Sequence, residues 1–267
     1  MKRTQSGCYY GWLTGDRYTG SRPHATVDLV IEAPDVLADA LQRQGWPLEA
    51  RAVRDAAAAF ASMQDADWYA GGIRLMEAAY LRGETPQAGS GFGGTAEDWR
   101  GNREMILDGV DRDGTFLDVG CANGLLMESV YRWAAERGLR VEPYGVDLGA
   151  NLVAAARDRL PQWADRIEVG NAIDYVPAGG RRFTYVHVLL ELVPPAHRAG
   201  LLRHALDVLV EPGGRLLVSR YAPAGGTDRA DAADDVRALG FVVGGVAYGG
   251  TGGRAASTAW IERGPAS

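Results

Sequence analysis

Asp118, Gly120, Gly124 and Asp147 are the residues whose types and spacing could do chemistry. The first three belong to the run Phe116-Leu117-Asp118-Val119-Gly120-Cys121-Ala122-Asn123-Gly124, and Asp147 follows after the roughly 20 positions that separate a glycine turn from a ribose-binding acid. An apolar run that ends in Asp and opens into a glycine turn lets the backbone bend sharply and approach a ligand, because glycine adopts conformations that crowd any Cβ. The helix expected to open near Leu125 would aim its free N–H groups at that ligand. A carboxylate at Asp147 can accept two hydroxyl donors at once, as a ribose offers. The pattern is that of a nucleoside site. Ala122 stands where the middle glycine of a dinucleotide fingerprint would admit a pyrophosphate, and Asp118 adds negative charge beside it. The alanine weakens the dinucleotide reading without excluding it, and the carboxylate suits a ligand carrying an ammonium and a sulfonium.

The elements that must position these residues alternate. Strands are expected at 115–119, 144–147, 167–169, 183–189, 215–220, 241–247 and 257–262. Helices are expected at 125–138, 150–160 and 195–209, with a shorter connection at 172–176. That rhythm implies an α/β, Rossmann-like fold: a seven-stranded, mostly parallel sheet with helices on both faces. The last two strands are joined by the short AYGGTGGRAA, which cannot hold a helical crossover, so the final strand should run antiparallel. Gly213-Gly214, in EPGG, reads as a turn before the fifth strand.

Ahead of this domain the sequence changes character. Residues 1–26 show no period and read as an arm, and three helical patterns follow between 34 and 83. GETPQAGSGFGG, residues 83–94, is a linker in which Gly, Ser and Pro dominate. The expected organisation is therefore an N-terminal arm and helical cap at 1–94 and the nucleoside-binding domain at 95–267. A helix should restart after Thr95, with Asp98 placed to complete a capping box.

Composition narrows the function. A net charge of −6 argues against a surface that grips nucleic acid through its phosphates, which requires clustered Lys and Arg. The two cysteines suit a reducing compartment, and no apolar run approaches a membrane span, so a soluble cytoplasmic protein without a membrane partner is expected. No metal site is expected, and a homodimer is left open.

The ordered series LDVGCANG, GVDLGANLVAAAR, VGNAID, FTYVHVLLELVP and PGGRLLVSRY resembles the class I S-adenosylmethionine-dependent methyltransferases over residues 105–263. The resemblance implies S-adenosylmethionine as cofactor, S-adenosylhomocysteine as product, and a small-molecule acceptor methylated on O, N or C. It implies that Asp118, Gly120, Cys121, Ala122, Asn123 and Gly124 line the methionine part and that Asp147 takes the ribose hydroxyls. Leu148 would pack on the adenine, Asn171 and the Ala172 N–H would read its edge, and Ile173 and Val188 would complete the lining. Many members of that family carry Asp at the position of Asn171.

Methyl transfer needs an acceptor lone pair in line with the sulfonium methyl, and a base only where the acceptor must lose a proton early. Candidates for that base lie at the carboxyl edge of the sheet: Glu191, directly after the fourth strand, then His187 and Tyr221. His187 also reads as a satisfied core histidine, Glu191 as a solvated loop acid, and Cys121 as a small packing residue. Trp99 and Arg103, four apart on one helical face, are candidate acceptor contacts. Two other functions stay open, a dinucleotide oxidoreductase of the NAD type and a catalytically silent cofactor-binding protein.

Overall fold

A computed structural model of the chain describes residues 51, 77–222, 231–251 and 255–265. The arm and most of the helical patterns expected ahead of the linker lie outside the described residues. The chain divides into two compact units, Met1–Gly93 and Gly94–Ser267. Within the first, the linker carries a 3-10 turn at Ala88–Ser90 that closes on Gly91 at φ 74°.

The second unit is built on seven strands: β1 Gly114–Val119, β2 Val141–Asp147, β3 Ile167–Val169, β4 Phe183–Leu189, β5 Val210–Tyr221, β6 Gly245–Gly249 and β7 Ala256–Glu262. Their order is β3-β2-β1-β4-β5-β7-β6. β7 pairs antiparallel with both β5 and β6, and the other pairings are parallel. The α-helices are α1 Ala96–Arg103, α2 Leu125–Glu136, α3 Ala150–Arg159, α4 Arg198–His204 and α5 Ala232–Ala238. α2 packs on β1 and β2, α3 on β2 and β3, and α5 on β5 and β7. No helix among the described residues is long and apolar enough to cross a membrane.

Local chemistry explains where these elements begin and end. Thr95 accepts from the Asp98 N–H at 3.1 Å while Asp98 Oδ2 accepts from the Thr95 N–H at 3.1 Å, the reciprocal box that starts α1. β2 starts at Val141 and so contains Pro143, which pairs with β1 beyond the reach of β3, where a missing N–H costs no ladder bond. β5 also starts early. Glu211-Pro212-Gly213-Gly214 forms an irregularity inside the strand rather than a turn before it, with Gly213 at φ 75° and a register shift against Phe183 and Tyr185. The helix expected at 195–209 is broken into a 3-10 turn at Pro195–His197, α4, and a π-helical turn at Ala205–Leu209.

α5 lies where the sequence pattern predicts no helix. α5 is started by Asp231, whose carboxylate accepts from the Ala233 N–H at 2.9 Å, and by Ser257 of β7, which accepts from the Ala232 N–H at 2.8 Å. β6 accordingly begins at Gly245 rather than 241.

The main core runs through Leu117, Val119, Val186, Val188, Val218 and Ala259 on one side of the sheet. The base of the central strands is pinned by Tyr185, which is fully buried. Its phenol donates to Asp111 Oδ1 at 2.7 Å and accepts from the N–H groups of Asp111 and Arg112 at 3.1 and 3.0 Å, fixing the chain that enters β1. Burial first, then the bond to Asp111, pushes this phenol up to about 12. A folded-state value above the unfolded one of roughly 10 means that the folded protein holds the proton more tightly. Stability from this group is therefore present below about pH 10 and lost as pH rises toward 12. Tyr185→Phe should lower stability by about 1–3 kcal/mol at neutral pH in urea unfolding and flatten the alkaline decline.

Candidate active site

The turn between β1 and α2 has three residues with positive φ: Gly120 at 82°, Ala122 at 46° and Gly124 at 74°. Gly120 is favoured there by its positive φ, and a Cβ on it would lie 2.6 Å from Leu192 Cδ2, the end of a side chain that would have to shift. Ala122 is the one non-glycine residue with positive φ among the described residues. It sits where a fingerprint glycine would, in the left-handed backbone shape that such a glycine supplies.

Asp147 holds the turn in that shape. Its Oδ2 accepts from the Ala122 N–H and its Oδ1 from the Gly149 N–H, both at 2.8 Å. One carboxylate thus ties the loop after β1 to the loop after β2 at the carboxyl edge of the sheet. The Gly120 and Cys121 N–H groups donate to Val146 O at 2.8 and 3.1 Å and complete the tie. From the far side Arg159 donates to Asn123 O at 2.8 Å and to Glu128 at 2.6 Å. Asn123 Oδ1 in turn accepts from the Leu125 N–H at 3.1 Å and starts α2.

Not every residue assigned to a nucleoside ligand faces one. Cys121 turns its side chain under the loop, among Met127, Val153, Ala156, Leu160 and Ile167. Burial, and then the charges of Asp147 and Asp118, push its thiol up, so it packs and does not react. Val188 is corrected: it is fully buried in the main core, pointing away from the His187 face, and has no surface to give a ligand. Ala172 also packs into that core. Asn171 shapes the turn after β3, where its Oδ1 accepts from the Ile173 N–H at 3.3 Å. Leu148, Asn171 and Ile173 are half-buried at that edge.

A second group of residues crosses the sheet. Asp118 Oδ1 is 2.9 Å from His187 Nδ1, His187 Nε2 is 3.0 Å from Ser219 Oγ, and Ser219 Oγ is 2.7 Å from Thr258 Oγ1. All four side chains are buried. An ionised carboxylate only accepts, so Nδ1 donates to Asp118; in the neutral ring Nε2 then accepts from the Ser219 hydroxyl. His187 is therefore a satisfied core histidine, stacked over Phe116, and not an open base. Asp118 is turned onto this row, its Oδ1 taken by the imidazole.

Above the row stands Tyr221, two residues after Ser219 on the same face of β5. The Arg103 guanidinium lies 3.4 Å from the centroid of its ring and 4.8 Å from that of Trp99. Trp99 is a correction: it is only 5% exposed and its indole donates to Ser129 Oγ at 2.9 Å, so it anchors α1 and is closed to an acceptor. Burial raises the Tyr221 phenol, and the negative charges of Asp118 and Glu191 add to that, while Arg103 and Ser219 pull it down. Its hydroxyl is buried without a hydrogen-bond partner among the described residues. Of the residues singled out for base or acceptor roles, Arg103 thus lies on Tyr221, His187 is joined to Ser219 two residues before it, and Glu191 acts on the phenol through its charge. Ser219 and Thr258 were missed, although the polar pair Ser257-Thr258 inside an apolar strand was a signal. No group of three or more His, Cys, Asp or Glu among the described residues is placed to hold a metal.

No family model matches the sequence, and no curated protein matches it. Solved structures do. A SAM-dependent methyltransferase from Aquifex aeolicus is 17% identical, with 62% of this chain and 94% of that chain covered at a TM-score of 0.45. The glycopeptide N-methyltransferase MtfA complexed with S-adenosyl-L-homocysteine is 19% identical, with 60% and 87% covered at 0.44. The [4+2]-cyclase SpnF is 14% identical, with 61% and 81% covered at 0.45. At identities this low and TM-scores below 0.5, none of them assigns a function to this chain.

The turn yields a test of its own. Ala122→Val should cost about 1–3 kcal/mol in urea unfolding, because a β-branched residue resists positive φ, while Ala122→Gly should stay within about 1 kcal/mol of the parent. With β7 as its one antiparallel strand and the order β3-β2-β1-β4-β5-β7-β6, the second unit has the class I methyltransferase fold.

Proposed function

We propose that this chain is an S-adenosylmethionine-dependent methyltransferase that acts on O, N or C of a small molecule and releases S-adenosylhomocysteine. The observation that carries the reading is Asp147, whose two oxygens each take one backbone N–H at the carboxyl edge. A carboxylate at the end of the second strand of a strand-turn-helix-strand unit, roughly 20 positions after the glycine turn, stands where an acid that accepts ribose hydroxyls is expected. Around it, Leu148 offers an apolar surface to an adenine, and Asn171, the Ala172 backbone and Ile173 border its edge. The turn at Gly120–Gly124 supplies close backbone approach to the methionine part.

When bound, the cofactor supplies an electrophilic methyl group: the acceptor's lone pair forms the new bond to carbon, and the C–S pair returns to sulfur. The protein's own part is to orient the acceptor, exclude water and manage one proton. Tyr221, flanked by Arg103, and the half-buried Glu191 are the polar groups at hand.

Asp147→Ala should weaken S-adenosylhomocysteine binding by about 10- to 100-fold in calorimetry, the scale of about 1–3 kcal/mol for lost charge-assisted hydrogen bonds. Unchanged affinity removes the ribose assignment, and binding of NAD without S-adenosylhomocysteine overturns the whole reading. Incubation of the protein with labelled cofactor and a metabolite extract, read by mass spectrometry, should then reveal the acceptor as a product heavier by one methylene.

A further inference from the structure

The buried row Asp118–His187–Ser219–Thr258 does more than fill the sheet. It ends beside a phenol whose hydroxyl is buried and unpartnered, and it has a defined polarity. With the ring neutral and His187 Nδ1 donating to Asp118, Nε2 accepts from the Ser219 hydroxyl. Ser219 has committed its proton to the imidazole and can only accept from its other neighbours, of which Thr258 is one at 2.7 Å. A hydroxyl oxygen has two acceptor sites, so one remains, and Tyr221 stands on the same face of the same strand two residues on. No hydrogen bond of ordinary geometry joins the two in this structure.

We propose that Tyr221, Ser219 and His187 form a proton path that drains the methyl acceptor's proton into the sheet, with His187 as the group that receives it and Asp118 as the charge that stabilises the resulting imidazolium. This rests on the methyl-transfer reading. As the acceptor gives its proton to Tyr221 Oη, the phenol's own proton passes to Ser219 Oγ and that of Ser219 to His187 Nε2. The products are a methylated, deprotonated acceptor and an imidazolium paired with Asp118. The positive charge that enters on the sulfonium leaves the reacting centre on His187, so charge balances without a further reactant. Asp118 and His187 act through Tyr221 and are positioning residues; Tyr221 is the group that meets the acceptor.

Each neighbour of the path has a part. Arg103 of α1 lies over the phenol ring and eases passage through phenolate character. Glu191, after β4, and Asp118, at the end of β1, oppose full ionisation. The phenol therefore stays protonated at rest and relays rather than holding charge. Phe116 covers the imidazole with a ring at 6.2 Å and keeps water from the lower end.

The path is testable in the full chain without knowing the acceptor, by titrating the phenolate absorbance of Tyr221 as the difference between the parent and Tyr221→Phe. His187→Asn keeps a donor for Asp118 while withdrawing the acceptor from Ser219, whose hydroxyl is then free to stabilise the phenolate. The Tyr221 transition should fall by about half a pH unit or more. Ser219→Ala removes that hydroxyl, and the transition should rise. Opposite shifts support the path; transitions that stay put, or that move in the same direction in both variants, overturn it. S-adenosylhomocysteine calorimetry on the same proteins reports separately on the cofactor reading, so one can fail while the other stands.

Discussion

The carboxylate of Asp147 is the constraint on which the candidate site depends. In a parallel sheet the loops at the carboxyl edge have no ladder partners of their own, and their N–H groups must find acceptors or face water. Asp147 satisfies one N–H in each of two loops with its two oxygens. It thereby fixes the turn after β1 against the start of α3. The same side chain is the proposed ribose ligand, so the group that would bind the cofactor also holds the turn against which it would lie. Removing it changes both, which is why an effect on affinity there reports shape as well as contact.

The second organising feature is polar and lies inside the sheet. Asp118, His187, Ser219 and Thr258 come from β1, β4, β5 and β7, and each is buried. Buried polar groups left unpaired cost about 1–3 kcal/mol each, so a row of four is tolerable only when every register is right. Leu117 against Val186, Val186 against Leu216 and Val218 against Ala259 set those registers from the apolar side. The polar row then penalises any slip, because one residue of displacement would send a carboxylate into the main core. Arg103 and Tyr221 cap this row, and Trp99 fixes Arg103 through its bond to Ser129 on α2.

Much of this was legible in the chain. β3 and β4 fall on the expected residues, the starts of α2 and α3 agree, and the final antiparallel strand follows from a connection too short to cross over. Those signals are local. β2 and β5 were read short because Pro143 and the Pro212-Gly213-Gly214 run look like breakers, and only the sheet shows that neither meets a ladder bond it would lose. α5 was overlooked because one of the groups that start it, Ser257, lies on another strand. At the site, the glycine turn and Asp147 carry their meaning in spacing. The juxtaposition of Arg103 with Tyr221, and of His187 with Ser219, arises only where separate elements meet, and no spacing encodes it. Val188 and Trp99 were misread for a related reason: a residue type suited to a ligand is equally suited to a core.

Ala122 has one more consequence. A glycine at that position would explore both halves of the backbone map, and ordering it around a ligand would lower affinity by the freedom lost at binding. An alanine held at φ 46° by Asp147 has already lost that freedom during folding. The loop is preorganised, and its ordering entropy is charged to the stability of the domain instead of to the affinity of the site.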